Sequence, residues 1–437
     1  MEYRQAILKL NQFKSLGINL GLRRINDLLE IFGHPEEQFP IIHIGGTNGK
    51  GSTTAMLASI LKEAGYQVGV FSSPHLISHR ERFMINGEYI SEKEFTALFA
   101  EVLGALEQVE QDVGSLPTEF EILTAMTFLY FARKQIDLAL VEVGLGGDFD
   151  STNVVKHPLL TIITNVSYDH QDRLGNTLVE IAEKKSGIIK ANCPVITMSK
   201  GEDVLRIIRE KAEDLAAPFW EIQREVAWEI ISETDEGQAF SLKTPFNDYP
   251  QLFVPLQGEH QIENAITAVF AAEILQKKGW RVGSEAIKAG IVKVKWPGRL
   301  ELIGCKPCFV LDGAHNLAGF MVLSQWLTKR KQNRRLVLVI GMLDNKDWDW
   351  AARFLKPLVD AVIITRPNSE RTVHWQDLKN HFQGNLPLTC IEDIGEALEK
   401  ARSLAGDDGL VLVTGSLHLM GKAREILQCS KNNSPGI

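Results

Sequence analysis

The stretch Gly46-Thr47-Asn48-Gly49-Lys50-Gly51-Ser52 (GTNGKGS) decides how this chain is read. Before it stands an apolar run, PIIHI at 40–44, and after it STTAMLASILKEAG at 52–65. The first has the pattern of a buried strand and the second that of a helix. A glycine-rich turn that leaves a strand and opens a helix aims several backbone N–H groups at one point, at the positive end of the helix dipole. Lys50 adds a mobile cation, and Ser52 a hydroxyl that can reach a phosphate-bound metal ion. The pattern is irregular: Ile44 stands where the usual loop has its first glycine, and Gly51 separates Lys50 from Ser52. Two readings follow, a variant phosphate loop for a nucleoside triphosphate or an ordinary glycine turn.

Length and composition narrow the surroundings of that loop. At 437 residues the chain predicts two or three domains. With 44% hydrophobic and 23% charged residues it is composed as a soluble globular protein. No apolar run approaches the roughly 20 residues that span a bilayer, and MEYRQAILKLNQ lacks a signal core, so no membrane partner and a cytoplasmic location are expected. A net charge of −8 argues against broad nucleic-acid binding while leaving room for small anions at a local cationic site. The five cysteines are scattered, which implies no disulfide framework. Cys305-Lys306-Pro307-Cys308 has the spacing of half a metal site or a redox pair, but a hairpin turn between two apolar runs accounts for it.

Along the chain, strand-like runs alternate with helical patterns: QVGVFSS, IDLALVEVG, LLTIITNV and PVITMS follow the loop in turn. Asn86-Gly87 signals a hairpin after SPHLISHRERF. Such alternation predicts an α/β fold with a mostly parallel sheet of the phosphate-loop type. Residues 219–256 break the pattern and read as irregular strands, an antiparallel flap, before the helix HQIENAITAVFAAEILQKKG. Near Trp296-Pro297-Gly298 comes a joint, and beyond it the alternation restarts as a smaller, Rossmann-like α/β domain. The boundaries expected are 1–296 and 297–437, with a frayed tail QCSKNNSPGI.

Ligands of open α/β sheets bind beyond the carboxyl ends of the strands. Past those ends lie Ser72 and Ser73, Glu142, and Asp169 with His170. Hydroxyl, carboxylate and imidazole suit Mg²⁺ bridging phosphates, although each residue alone could be a satisfied buried or loop group. In the second domain FVLDGAHN places Asp312, His315 and Asn316 after a strand, where an acidic residue can hold ribose hydroxyls or simply cap the next helix. A GTPase-type switch would need an N-K-x-D segment; Asn345-Lys346-Asp347-Trp348 ends in tryptophan and falls in the wrong domain.

GTNGKGS, SSPHL, ERFMINGEYI, PTEFEILTA, VEVGLGG, DSTNVV, TNVSYDH, KKSGIIK, HQIENA, PGRLE, LDGAHN and GSLHLMG occur in this order between about residue 18 and residue 424. With them the chain resembles the bacterial folylpolyglutamate synthase/dihydrofolate synthase family of the Mur ligase superfamily. The resemblance implies an ATP-binding central domain that carries the folate site and a C-terminal glutamate-ligase domain. It also implies a monomer, with the active site in the cleft between domains that close during catalysis. The activity implied joins L-glutamate to dihydropteroate or a reduced folate, using ATP and Mg²⁺ through an acyl phosphate. Gly46 to Ser52 would hold the phosphates, with Lys50 as the cation. Ser73, Glu142 and His170 would bind Mg²⁺, and Lys185 matches a lysine that the family carries as a carbamate, which can help bind a second Mg²⁺. Bare sequence reads Lys185 as a solvated helix residue. Asn264, Arg299 and Asp312 would contact the nucleotide, His315 and Ser416 the incoming glutamate, and Thr118, Phe120 and Asp150 the pteridine or pteroate group. One departure stands out. The family's GGRLDATN is here Gly146-Gly147-Asp148-Phe149-Asp150-Ser151-Thr152-Asn153, which reverses a charge beside the substrate loop and leaves open which pteroyl substrate is used. Alternatives are a Mur-type amino-acid ligase of cell-wall precursors and a non-ligating phosphate-loop ATPase.

Overall fold

The computed structural model describes residues 1–17, 21–304 and 306–432, the last three as backbone only. Cys305, and with it the Cys-x-x-Cys question, lies outside the described residues, as do residues 18–20 at the start of the family match. The chain divides into two compact units: Met1–Ile231, Ala239–Val254 and Ile262–Val294 form one, and Ser232–Gln238, Pro255–Gln261 and Lys295–Ile437 the other.

In the first unit β1 (Ile41–Gly45), β2 (Val68–Phe71), β3 (Phe83–Ile85), β4 (Glu88–Tyr89), β5 (Leu138–Glu142), β6 (Leu160–Ile163), β7 (Val195–Thr197) and β8 (Phe219–Glu221) make one sheet, in the order β4-β3-β2-β5-β1-β6-β7-β8. Neighbours from β2 to β8 run parallel, and β3 and β4 are antiparallel additions. Asn86 and Gly87 take φ of 52° and 84°, the left-handed pair that a two-residue hairpin turn requires. Every residue of β1, β5 and β6 is buried, as a central parallel strand covered on both faces must be. Helices start where the sequence supplies reciprocal caps: Ser91 with Glu94, Thr118 with Glu121 and Thr177 with Glu180 each form a capping box. The Glu119–Lys134 helix is buried over its whole middle, Glu121 to Phe131, and its Phe128 and Phe131 share a core cluster with Phe95 and Phe99.

One expectation about residues 219–256 needs correcting. Residues 219–221 are not part of a flap; they form β8, the parallel edge of the main sheet, and three residues are too few to show a period. The remainder forms a three-stranded sheet of β9 (Ala227–Glu233), β10 (Gln238–Lys243) and β11 (Asp248–Val254).

The second unit has β12 (Glu301–Ile303), β13 (Cys308–Leu311), β14 (Leu336–Ile340), β15 (Ala361–Ile364), β16 (Leu388–Cys390) and β17 (Leu410–Thr414), ordered β12-β13-β17-β14-β15-β16. All pairs are parallel except the β12–β13 hairpin. The last strand therefore inserts between the second and third. Between β15 and β16, where a helix was expected, the chain makes only a 3₁₀ turn, Trp375–Asn380. The expected frayed tail is helical over its first half, since Leu417–Asn432 is one helix; residues 433–437 lie outside the described residues.

Candidate active site

The GTNGKGS turn connects β1 to the Lys50–Glu63 helix, with Gly49 at the helix N-cap and φ 85°. Close approach dictates glycine at two of its positions. A methyl on Gly46, at φ 133°, would lie 2.0 Å from Thr164 Oγ1; one on Gly49 would lie 2.3 Å from Asn264 Oδ1. The buried side chain of Asn264, on the Glu259–Lys277 helix, thus rests against the loop. The segment after β6 grips the turn from the other side. Thr47 N–H donates to Asn165 O (2.7 Å), Asn48 N–H to Asn165 Oδ1 (3.0 Å), and Thr164 Oγ1 to Asn48 O (2.7 Å). Thr47 Oγ1 both donates to Ser167 O and accepts from Ser167 N–H. Thr164, Asn165 and Ser167 were not singled out from sequence, though they sit within the TNVSYDH motif.

Two lysines converge on one loop carbonyl. Lys50 Nζ donates to Gly46 O and Thr47 O, both at 3.1 Å, and Lys185 Nζ donates to Gly46 O at 2.8 Å. Lys185 is 5% exposed, which overturns the solvated-helix reading: its position near the end of the Leu178–Ser186 helix turns it inward. Burial first, and the neighbouring Lys50 second, pull its pKa from 10.5 to about 7. An amine of that kind is substantially neutral at physiological pH.

Ser73 and Glu142 stand at the ends of adjacent strands, because β2 pairs with β5 and β5 with β1. Ser73 N–H reaches Glu142 Oε2 at 3.4 Å, and Glu142 is 4% exposed. His170 follows β6, on the other flank of β1, with left-handed backbone (φ 50°) just ahead of the Gln171–Leu174 turn. Its backbone N–H bonds Asp169 Oδ1 at 2.9 Å. Carboxylate, hydroxyl and imidazole are donor types that suit Mg²⁺; the structure brings Ser73 to Glu142 through its backbone N–H, while His170 is exposed beyond β6. Arg82, not anticipated from sequence, brings a half-buried guanidinium into the field of Glu119, Glu142 and Glu81; loss of solvent holds it below its ordinary value.

The three residues assigned to a pteroyl group have different surroundings. The Thr118 hydroxyl is committed to its capping box, donating to Glu121 Oε2 (2.8 Å) and accepting from Glu121 N–H (3.3 Å). Phe120 is half-buried, 5.8 Å from the Phe71 ring, and only the missing side chain of Gly144 makes room for it: a methyl there would lie 2.5 Å from its ring and 3.2 Å from Asp150 Oδ2. Asp150 organises its own loop, accepting from Leu145 N–H, Thr152 N–H and Thr152 Oγ1. Burial pushes its carboxyl above the usual range, and those donors oppose the shift. Asp148, where the family pattern has arginine, seats on the Cα of Gly187, amid Lys184, Lys211 and Lys190. Phe149 is half exposed beneath Lys184 Nζ, 6.0 Å away.

In the second unit Asp312 directly follows β13. Its Oδ1 accepts from Ala314 N–H (2.9 Å) and its Oδ2 from Leu300 N–H (3.0 Å). Burial raises its carboxyl pKa against the pull of Arg299. Arg299 lies beside the same turn, its Nη1 3.1 Å from where a methyl on Gly313 would sit. His315 Nδ1 donates to Gly313 O at 2.8 Å. Asn316 caps the Leu317–Lys331 helix through Gly319 N–H, so the capping reading holds for it; Asp312 instead braces the turn. Ser416 Oγ accepts from Leu419 N–H at the start of the last helix.

The glycine-rich loop on a mostly parallel sheet, followed by a second α/β unit, is matched by the domains of ATP-dependent ligases. Residues 44–272 match the Mur ligase middle domain and residues 298–417 the Mur ligase glutamate ligase domain. The chain is 39% identical over 416 residues to a dihydrofolate synthase/folylpolyglutamate synthase of Bacillus subtilis, covering 94% of this chain and 96% of that one. Its fold is similar to folylpolyglutamate synthase of Mycobacterium tuberculosis solved with ADP and AMPPCP (TM-score 0.89, 30% identity, 100% of both chains). It is also similar to E. coli FolC in complex with DHPP and ADP (TM-score 0.86, 30% identity, 98% of both chains). The chain belongs to the folylpolyglutamate synthase/dihydrofolate synthase family of the Mur ligases.

Proposed function

We propose that this protein is an ATP-dependent ligase that joins L-glutamate to dihydropteroate, to the γ-carboxylate of a reduced folate, or to both. The observation that carries the reading is the convergence of Lys50 and Lys185 on Gly46 O, within a glycine loop at a helix N-terminus. A carboxylate is a poor acyl donor because its oxygen leaves badly. Transfer of the γ-phosphoryl group to that oxygen breaks the bond to ADP and makes an acyl phosphate. The glutamate amine then attacks the carbonyl carbon, loses a proton, and phosphate departs. Most of the catalysis is positioning and charge neutralisation.

In this reading the backbone N–H groups from Gly46 to Ser52 cradle the phosphates and Lys50 leaves its loop carbonyls for the γ-phosphate. Asn264 braces Gly49, and Arg299 and Asp312 hold the nucleotide. Ser73, Glu142 and His170 would hold Mg²⁺, which supplies charge neutralisation on the phosphates when bound. The neutral amine of Lys185 can add CO₂ and release a proton, becoming an anionic carbamate. His315 and Ser416 take the glutamate, and Phe120 with the Asp150 loop the pteroyl group. The domain boundary is placed at 296/297, in keeping with the two matched ranges. The enzyme is read as a cytoplasmic monomer; light scattering should return the 48.8 kDa of one chain. Among the described residues no helix is long and apolar enough to cross a membrane.

The test is a two-substrate assay. Protein, ATP, Mg²⁺ and glutamate are incubated with dihydropteroate or with tetrahydrofolate, and phosphate release is followed. Release that needs both glutamate and a pteroyl compound supports the reading, and the preferred compound decides between one activity and two. Release without glutamate would mean an ATPase, and turnover only with a UDP-sugar precursor a cell-wall ligase.

A further inference from the structure

A buried relay joins the strand that launches the phosphate loop to the loop that carries Asp150. His43 lies on β1, three residues before Gly46, paired on one side with Val141 and on the other with Thr161. It is 0% exposed, as is Thr152. His43 Nε2 is 2.9 Å from Thr152 Oγ1, and Thr152 Oγ1 donates to Asp150 Oδ1 at 2.5 Å. The hydroxyl has one hydrogen, and it is spent on the carboxylate. Its lone pair must therefore accept from His43 Nε2–H. Burial, reinforced by Lys190, takes the His43 pKa down to about 3, so the ring is neutral and its Nδ1 is bare. That Nδ1 is buried without a hydrogen-bond partner. An apolar residue on a central strand would avoid this cost. The chain accepts it, and the return is a directed hydrogen bond.

We propose that His43 and Thr152 are positioning residues of the ligase: the path His43 Nε2–H to Thr152 Oγ1–H to Asp150 Oδ1 registers the pteroyl-binding loop against the phosphate loop. The other Asp150 oxygen, Oδ2, fixes Leu145 N–H, so one carboxylate sets both ends of the loop that follows Glu142. Thr152 also gives its backbone N–H to Asp150 Oδ1 at 2.9 Å, a bond that any residue at 152 but proline keeps, whereas the hydroxyl link to β1 depends on the side chain. The proposal rests on the ligase reading, in which the Asp150 loop receives the pteroyl substrate whose carboxylate must meet the γ-phosphate.

The test compares Thr152→Val, which keeps the shape and removes the hydroxyl, with Thr152→Ser, which keeps the hydroxyl and removes the methyl. Steady-state phosphate release is measured against the pteroyl substrate and against ATP, together with thermal unfolding. The expected result is that T152V lowers kcat/KM for the pteroyl substrate by about tenfold or more, with the ATP KM unchanged within roughly twofold, while T152S behaves as wild type. T152V behaving as wild type would overturn the relay. So would T152S as impaired as T152V, because packing and not the hydroxyl would then matter. A joint rise of both KM values with a lowered unfolding temperature would also overturn it, as general loosening. If T152V does not fold, His43→Gln, which keeps an N–H donor, and His43→Leu, which does not, make the same comparison: a split in pteroyl kcat/KM supports the relay, and equal behaviour sinks it. Wild-type protein without glutamate-dependent turnover on any pteroyl compound would sink the ligase reading and the relay with it; active wild type with unaffected variants would sink the relay alone.

Discussion

Replacing Lys185 by methionine should stabilise this protein at mildly acid pH while abolishing ligation. The buried ammonium is held at a pKa of about 7 instead of 10.5, chiefly by loss of solvent and then by Lys50. At about 1.36 kcal/mol per pKa step this corresponds to roughly 5 kcal/mol of penalty on the charged form, an upper figure. In the unfolded chain the lysine stays protonated up to its ordinary value, and in the folded chain it gives up its proton near 7. Below pH 7 both states are charged and the folded state bears the whole penalty. Between pH 7 and 10.5 the unfolded state binds the extra proton, so stability rises with pH as the penalty is relieved. Methionine has a similar length and no charge. It forfeits the 2.8 Å bond to Gly46 O, worth about 1.5–3 kcal/mol. The net gain expected at pH 6 is about 2 kcal/mol, or roughly 4 °C in Tm. By pH 9 the gain should vanish or reverse. Calorimetry of wild type and K185M at both pH values, in CO₂-free buffer so that the amine stays unmodified, reads this directly. A variant less stable than wild type at pH 6, or a gain of equal size at both pH values, would refute the picture of Lys185 as a penalised buried cation. A stabilised but inactive variant would be a case of stability given up for function.

The remaining predictions concern the same site. Lys185 in wild type should take up ¹³C-labelled CO₂ at pH 7–8 and show a carbamate carbon signal by NMR that is missing from K185M; no signal in active enzyme would remove the carbamate from the mechanism. Lys50→Ala should lower acyl-phosphate formation by several orders of magnitude, on the order of 4 kcal/mol or more of lost charge stabilisation, and near-normal turnover would sink the assignment of the loop. Gly49→Ala forces a methyl to within 2.3 Å of Asn264 Oδ1 at φ 85°, so nucleotide affinity should fall by at least about tenfold; titration with ADP checks it, and unchanged affinity would mean that Asn264 simply moves aside. Glu142→Gln keeps the shape of a buried side chain and removes its charge, so the Mg²⁺ concentration for half-maximal turnover should rise by roughly tenfold, whereas an unaltered requirement would place the metal elsewhere.

Much of this protein is legible without coordinates, because much of it is local. The Asn86-Gly87 turn and the strand runs IDLALVEVG and LLTIITNV each need only neighbouring residues, and each stands where the letters put it. The phosphate loop is legible for the same reason: strand, glycines, lysine and helix follow one another along a single stretch. The short β8 and the 3₁₀ turn at Trp375–Asn380 were not readable, since neither is long enough to display a period.

Other properties exist only where distant segments meet. The insertion of β17 between β13 and β14 is a matter of hydrogen-bonded pairing, not of order in the chain. Lys185 looks like any helical lysine until packing removes water from it and sets it against Lys50 and Gly46, 139 residues away. His43 reads as one more strand residue until Thr152, 109 residues on, closes a bond to it. By itself the sequence determined which chemical groups are present, the alternation of strands and helices, and the glycine-rich turn between strand and helix. The tertiary structure alone decided which of those groups lose their solvent and which face one another. Charge state and hydrogen-bond direction depend on burial and on neighbours brought together through space, and a linear order of residues specifies neither.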